Sequence, residues 1–333
     1  MGYIKLNKKS FFHNLDYFSS ICGGKQKISL ALKDNAYGHG IHEIASLAKK
    51  YGIDHVFVRD LREVSIIKEF NFKTVLVLYD IPKKITNNII ISVNSLFSLK
   101  KIPNKSKIEL KLDTGMNRNG ISKNEIQDSI KLIKSKKLIL NGIFTHFCCA
   151  DENNTTTQEQ EQEFLDLLEF FKKDFSNFRI HCAASSGVHK IDMNRYDIAR
   201  IGIGAYGYLD LQQEQYLKPV LSLWGRKIST KYLNQGDHIG YGSDPFVASS
   251  SMVVSNYDIG YGDGFFRFSE YKKATIANKK EILGRVSMDS LSVEGDEDEI
   301  CIFDDVSEIA SANNTIKYEV LASLNPYILK YIE

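Results

Sequence analysis

The stretch KISLALKDNAYGHGIHEIASLAKKYGIDHVFVRD, residues 27–60, contains one whole repeat of the pattern that decides the fold. It opens with a strand-like apolar run, KISLALK (27–33). Residues 41–51 carry apolar side chains at helical spacing, and HVFVRD (55–60) is strand-like again. Upstream, residues 9–22 have helical periodicity and stop at Gly23-Gly24. Downstream the alternation continues through a helix near 61–70, TVLVLYD (74–80), an apolar run at 89–93 and IELKLD (108–113). A helix near 122–136, LILNGIFTHF (138–147), a polar helix at 157–174, RIHCAAS (179–185) and YDIARIGI (196–203) complete it. Strand and helix recurring every ~20–30 residues predict βα units with parallel strands. About eight units in roughly 210 residues suit an α/β fold of the TIM-like (βα)8 barrel type. The texture changes after Pro219. Short alternating runs at 224–230, 251–261, 279–295 and 299–304, broken by Gly and Asp turns, predict a smaller C-terminal β-rich domain. The expected division is a barrel over residues 1–215 and a β-rich domain over 216–333.

Composition narrows the function classes. The 333 residues are 43% hydrophobic and 25% charged, and 43 basic residues against 41 acidic give a net charge of +2, so no nucleic-acid partner is expected. The basic run KLIKSKK (131–137) reads as a solvated helix face. Five cysteines in an odd number, without a CxxC pair, predict reduced thiols and a cytoplasmic setting. The opening MGYIKL has no apolar signal core, and no apolar run approaches the ~18 residues of a spanning helix, so no membrane association is expected. His39, His42 and Glu43 share a stretch but lack the spacing of a metal site.

Chemistry gathers at strand ends, which in a βα barrel face the active-site mouth. Lys33 ends the 27–33 run, Arg118 follows 108–113, His146 and Ser185 end two further runs, and Arg200 with Gly202 ends the last. An ammonium at the end of an apolar strand is expensive to desolvate, and lysines in such places become nucleophiles. The alternative is a strand-end lysine that reaches back to solvent. Gly202-Ile203-Gly204-Ala205-Tyr206-Gly207 fits GxGxxG, but it lies late in the chain, with no acidic residue between Gln215 and Asp237 to bind a ribose. It reads either as a monophosphate loop or as a plain turn. In the β-rich domain, Tyr241 and Tyr261 each stand between glycines.

In order along the chain, ALKDNAYGHG (31–40), LKLDTGMNRNG (110–120), GIFTHF (142–147), ARIGIGAYGYL (199–209), GYG (240–242), IGYGDGF (259–265) and GRVSMD (284–289) resemble the blocks of the alanine racemases. The resemblance covers nearly the whole chain. It implies racemisation of L- and D-alanine to supply D-alanine for peptidoglycan, with pyridoxal 5'-phosphate (PLP) as cofactor and a homodimer with shared active sites. Alternatives are a racemase that also accepts serine, or a PLP decarboxylase of related barrel fold. By matching position, Lys33 would carry PLP as a Schiff base and act as one catalytic base, with Tyr241 the other. Tyr37, Ser185, Gly202, Ile203 and, less directly, Tyr327 would hold the phosphate. Arg200, supported by His146, would face the pyridine nitrogen. Arg118 would contact cofactor and substrate, and Met288 the substrate. Lys111 falls where relatives carry a carbamylated lysine, and Asp151, Tyr261, Arg267 and Arg285 match an access corridor.

Inverting a stereocentre with two bases needs one on each face. A tyrosine ordinarily ionises near pH 10, so a tyrosine base needs cationic neighbours. An arginine at the pyridine nitrogen keeps its proton, whereas the related decarboxylases place an acid there. The chain departs from the family at Ala184, where an asparagine is usual, and at Asp34, where a small residue is commoner.

Overall fold

The computed structural model describes residues 2–83, 88–242, 245–268 and 274–333. The chain begins with strand β1 (Tyr3–Leu6) and a helix, Lys8–Cys22, whose Phe11, Leu15, Phe18 and Cys22 are all buried. That spacing makes one apolar stripe, and the helix ends where Gly23 takes a φ of 84°.

Eight strands follow, β2 (Ile28–Ala31), β3 (His55–Val58), β4 (Thr74–Val77), β5 (Ile89–Val93), β6 (Lys107–Lys111), β7 (Ile139–Phe144), β8 (Arg179–His181) and β9 (Ala199–Ile201). They form one parallel sheet in the order β8-β7-β6-β5-β4-β3-β2-β9. Closure comes from a parallel bridge between Ala184 and Arg200 and from Arg200 N donating to Ala183 O at 3.0 Å. The expected (βα)8 barrel is the fold observed. Sheets covered by helices on one face and by their own packed interior on the other carry near-continuous apolar strands, as in ISLA of β2 and TVLV of β4. Within the barrel the sequence pattern passed over the helix Leu96–Lys101, because six residues are too few to establish a period. Ser95 caps it by accepting from Ser98 N.

The remaining strands are β10 (Leu221–Leu233), β11 (His238–Ile239), β12 (Phe246–Val247), β13 (Met252–Tyr257), β14 (Leu291–Glu294), β15 (Glu299–Phe303) and β16 (Leu329–Ile332). The long β10 pairs antiparallel with β1, β13 and β15, while β16 lies parallel to β1. Ile4, Leu6, Leu223, Val254 and Ile302 are fully buried here. Two compact units result. One comprises Lys9–Ala36 and Ile44–Lys218; the other takes the segment through Lys8, Tyr37–Glu43 and everything from Pro219. The sequence division into 1–215 and 216–333 treats the domains as consecutive, whereas these units interleave. The reason is the pairing of β1 with β10 and β16, which no local pattern in residues 3–6 announces. No helix among the described residues is long and apolar enough to cross a membrane.

Candidate active site

In the barrel unit, the carboxyl ends of the strands carry the polar side chains. Lys33 lies two residues beyond β2 and opens a turn in which Asp34, Asn35, Ala36 and Tyr37 all have φ between 52° and 55°. Left-handed backbone costs most residues about 1–2 kcal/mol each, so this turn is held by its surroundings. Ala36 N donates to Leu32 O at 2.9 Å, and Asn35 N donates to Glu63 Oε1 at 3.0 Å. Lys33 Nζ sits 2.9 Å from Asp34 Oδ2, and Arg59 Nη1 lies 3.0 Å from Asp34 Oδ1. Asp34 is thus a clasp on the lysine, and its carboxyl is held below the usual range by Lys33 and Arg59 against the opposing effect of burial.

Arg200 is the best-anchored charge. Its Nη1 donates to His181 Nδ1 at 2.6 Å, and its Nη2 donates to Thr145 O at 2.6 Å and Cys182 O at 2.9 Å, with His146 Nδ1 at 3.4 Å. Behind it, His181 Nε2 meets Glu109 Oε2 at 3.0 Å, and Glu109 also accepts from Arg179 Nε and Asn141 Nδ2. Glu109 and His181 are wholly buried. Burial pushes the His181 imidazole down to about 4, so it is neutral, with Nε2–H donated to Glu109 and Nδ1 accepting from Arg200. Burial opposes ionisation of Glu109, but Arg179 and His181 prevail and hold its carboxyl down at about 2. Arg200 itself falls to about 10 through burial, still protonated at neutral pH.

Lys111, buried at the end of β6, is pushed down to about 8 by burial and by Arg118 and Arg200. His146 falls to about 3 through burial, and Arg200, Lys111, Arg118 and Lys33 all act on it. These five side chains are therefore brought within electrostatic reach of one another. Arg118 is exposed, on a loop that Asp113 Oδ1 shapes by accepting from Gly115 N and Asn117 N. Ser185 Oγ accepts from Gly202 N at 3.0 Å and Gly204 N at 3.2 Å, which ties the loops after β8 and β9. A hydroxyl that already accepts twice has its proton left to give, the polarity an anion needs. Ile203, buried, starts the turn, and a Cβ on Gly204 would meet the Phe18 ring at 2.4 Å, so the close approach requires glycine. Asp151 is exposed in the loop after β7, and Ala184 takes part in the barrel-closing bridge.

The other unit carries the remaining candidates. Tyr241 is 58% exposed between Gly240 (φ 104°) and Gly242 (φ 93°), and a Cβ on Gly242 would come within 3.0 Å of the Arg285 guanidinium. Tyr261 N donates to Ser287 O and Gly262 N to Met288 O, so the tyrosine turn and the methionine strap form one surface. Asn325 Nδ2 reaches Gly262 O and Asn325 Oδ1 accepts from Tyr327 N, which joins Tyr327 to the same surface. Arg267 is exposed nearby in sequence, and Tyr37 is buried with its ring 5.9 Å from that of Tyr318.

The sequence reading missed Glu109, His181, Arg179 and the Asp34 clasp. A period-two signal was present: Glu109 and Lys111 alternate with apolar residues in IELK, as Arg179 and His181 alternate with Ile180 and Cys182. The network makes an acid-lability prediction. His55, His146 and His181 have folded-state values below 6.5, at about 4, 3 and 4. The unfolded chain therefore binds more protons, and stability that is complete above pH 6.5 is lost as pH falls toward 4. Urea unfolding followed by Trp224 fluorescence should show a loss of a few kcal/mol across that window. A flat profile would contradict the neutral assignment.

Residues 6–210 match the family model "Alanine racemase, N-terminal domain" and residues 220–331 match "Alanine racemase, C-terminal domain". A curated alanine racemase from a Nitratiruptor species is 39% identical, covering 98% of both chains. Among solved structures, an alanine racemase from Clostridium difficile 630 superposes with a TM-score of 0.90 at 26% identity, covering 100% of this chain and 95% of its own. One from Bartonella henselae, with covalently bound pyridoxal phosphate, has a TM-score of 0.85 at 22% identity over 100% of this chain and 99% of its own, which speaks for the shared fold.

Proposed function

The chain belongs to the alanine racemase family and interconverts the enantiomers of alanine, and from that premise we propose which of its residues do so and with what cofactor. The family depends on PLP, and the barrel mouth suits an anionic phosphate ester. Lys33, Lys111, Arg118 and Arg200 crowd it with positive charge, which adds to burial in lowering Lys111 and His146. A phosphate and the carboxylate of alanine would bring the missing negative charge. Ser185, with the Gly202 and Ile203 backbone, Tyr37 and Tyr327, would hold the phosphate. Lys33 would hold the cofactor covalently. Bound PLP supplies the electron sink that makes the Cα proton of alanine removable.

The observation that carries this reading is Arg200. Its hydrogen-bond partners are two neutral imidazoles and two carbonyls, so it is a fixed donor that no carboxylate among the described residues pairs directly. Toward the ring nitrogen of PLP such a group would give a hydrogen bond and keep its proton, which would favour returning the proton to Cα over side reactions. Arg118 would take the substrate carboxylate. Lys111, at about 8, has a fraction of free amine at neutral pH that can add to carbon dioxide. Addition of the free amine to carbon dioxide releases one proton, the ammonium having already given up another, so a cation would be replaced by an anion beside Arg118 and Arg200. Lys33 Nζ and Tyr241 Oη would work on opposite faces of Cα.

Exposed Tyr241, Tyr261, Met288 and Tyr327 give the second unit a surface suited to a partner copy. We place Tyr241 and Met288 of each chain at the barrel mouth of the other, with Asp151, Tyr261, Arg267 and Arg285 lining the approach. The setting would be the cytoplasm, where D-alanine serves peptidoglycan assembly and a reducing pool keeps the five cysteines as thiols. Purified protein given either enantiomer should yield the racemate. Tyr241→Phe should keep its bound cofactor and lose about 10²–10⁴-fold in racemisation, while still exchanging the α-hydrogen of D-alanine in heavy water through Lys33. Equal loss of exchange from both enantiomers would remove Tyr241 from its role.

A further inference from the structure

The loop after β7 holds a feature that the racemase mechanism does not use. Cys148 and Cys149 are adjacent, their Sγ atoms are 2.9 Å apart, and neither is buried. A disulfide bond is ~2.05 Å long, so little movement separates the two thiols from bonding. The loop is pinned on either side. Cys148 N donates to Gln160 Oε1 at 2.9 Å, Glu152 N donates to Cys149 O at 3.1 Å, and Phe147 and Ala150 are buried. The same loop presents Thr145 O and His146 Nδ1 to Arg200.

We propose that Cys148 and Cys149 are a covalent-modification site, oxidised by small-molecule disulfides to a reversible vicinal disulfide that slows catalysis at the barrel mouth. The slowing rests on the function proposed above; the oxidation does not. Cys148, the more exposed, attacks one sulfur of a low-molecular-weight disulfide and expels the first small thiol. Cys149 then attacks Cys148 Sγ in the mixed disulfide and expels the second. Two protons and two electrons pass from the cysteine pair to the small disulfide, which leaves as two thiols. Cys149 suits the second step by position, its Sγ lying 2.9 Å from Cys148 Sγ. Adjacent Cα atoms are ~3.8 Å apart, below the ~4.4–6.8 Å that disulfides prefer, so the bond is strained and readily reduced. Closing the ring restrains the backbone two residues from His146 and shifts the carbonyl and imidazole that seat Arg200.

The test treats the PLP-loaded enzyme with oxidised glutathione. Two of the five thiols should be lost, and the peptide spanning 148–149 should lose two hydrogens in mass and retain no glutathione. Racemisation should fall about tenfold or more, as misplacement of supporting groups by about 1 Å does, and a dithiol reductant should restore it. Cys148→Ser should keep its basal rate, form no internal disulfide and resist inactivation. Stable glutathione adducts, or thiol loss mapping to Cys301, would overturn the site. A clean disulfide with an unchanged rate would overturn the control. An enzyme that fails to racemise alanine before oxidation would count against the function reading, while the thiol and mass measurements still judge the pair.

Discussion

Lys33→Ala should yield a protein that holds no cofactor covalently and racemises alanine at least ~10⁴-fold more slowly, since it removes both the anchor and one base. The result is discriminating because the barrel mouth offers two lysines. Lys111 is the one whose amine is partly free at neutral pH, at about 8. Lys33 Nζ is clasped by Asp34 Oδ2 at 2.9 Å. That free-amine fraction would by itself mark Lys111 as the nucleophile. Position argues the other way: Lys111 is buried within β6, facing Arg118 and Arg200, whereas Lys33 opens a loop of unusual backbone at the strand end. Borohydride reduction followed by peptide mapping settles the choice. Label should appear on Lys33 in the parent and be absent from Lys33→Ala, and label moving to Lys111 would reverse the assignment.

Glu109→Leu should destabilise the protein by roughly 3–5 kcal/mol, the cost of removing one partner from a buried ion pair and stranding the other. Glu109 is completely buried and satisfies Arg179, His181 and Asn141 at once. Leucine matches its bulk but leaves the Arg179 guanidinium unpaired. Glu109→Gln retains an acceptor for His181 and should cost less. The stability gap between the two variants, measured by urea unfolding, separates charge from shape. If leucine is tolerated as well as glutamine, the carboxylate is not what organises the barrel interior.

The barrel was legible because each strand is short, apolar and followed by a helix-period segment, and parallel pairing of such units has few solutions. The candidate site residues were legible by place in the chain: Lys33, His146, Ser185 and Arg200 all fall where a strand run ends. What escaped was the layer beneath them. Glu109 and His181 come from β6 and β8 and meet over the intervening β7, 72 residues apart, through a register that no single strand encodes. The Asp34 clasp was hidden for another reason. Asp34 stood out as a departure, but its partner Arg59 lies on a different loop, 25 residues on. Tyr3–Leu6 fell inside the expected barrel span of 1–215; its hydrogen bonds go to residues more than two hundred positions away, and only the ladder reveals them.

That first strand has a consequence for synthesis. Tyr3–Leu6 leaves the ribosome well before both of its partners, the antiparallel Leu221–Trp224 and the parallel Leu329–Ile332. The whole barrel sequence emerges while these four residues wait unpaired. A strand with open edges is a template for other chains. Here the exposure is brief only if translation proceeds past residue 332. A nascent chain stalled after the barrel would present β1 to its neighbours on the same message, so crowded polysomes and slow codons in the last hundred positions are where this protein is most exposed to misassembly.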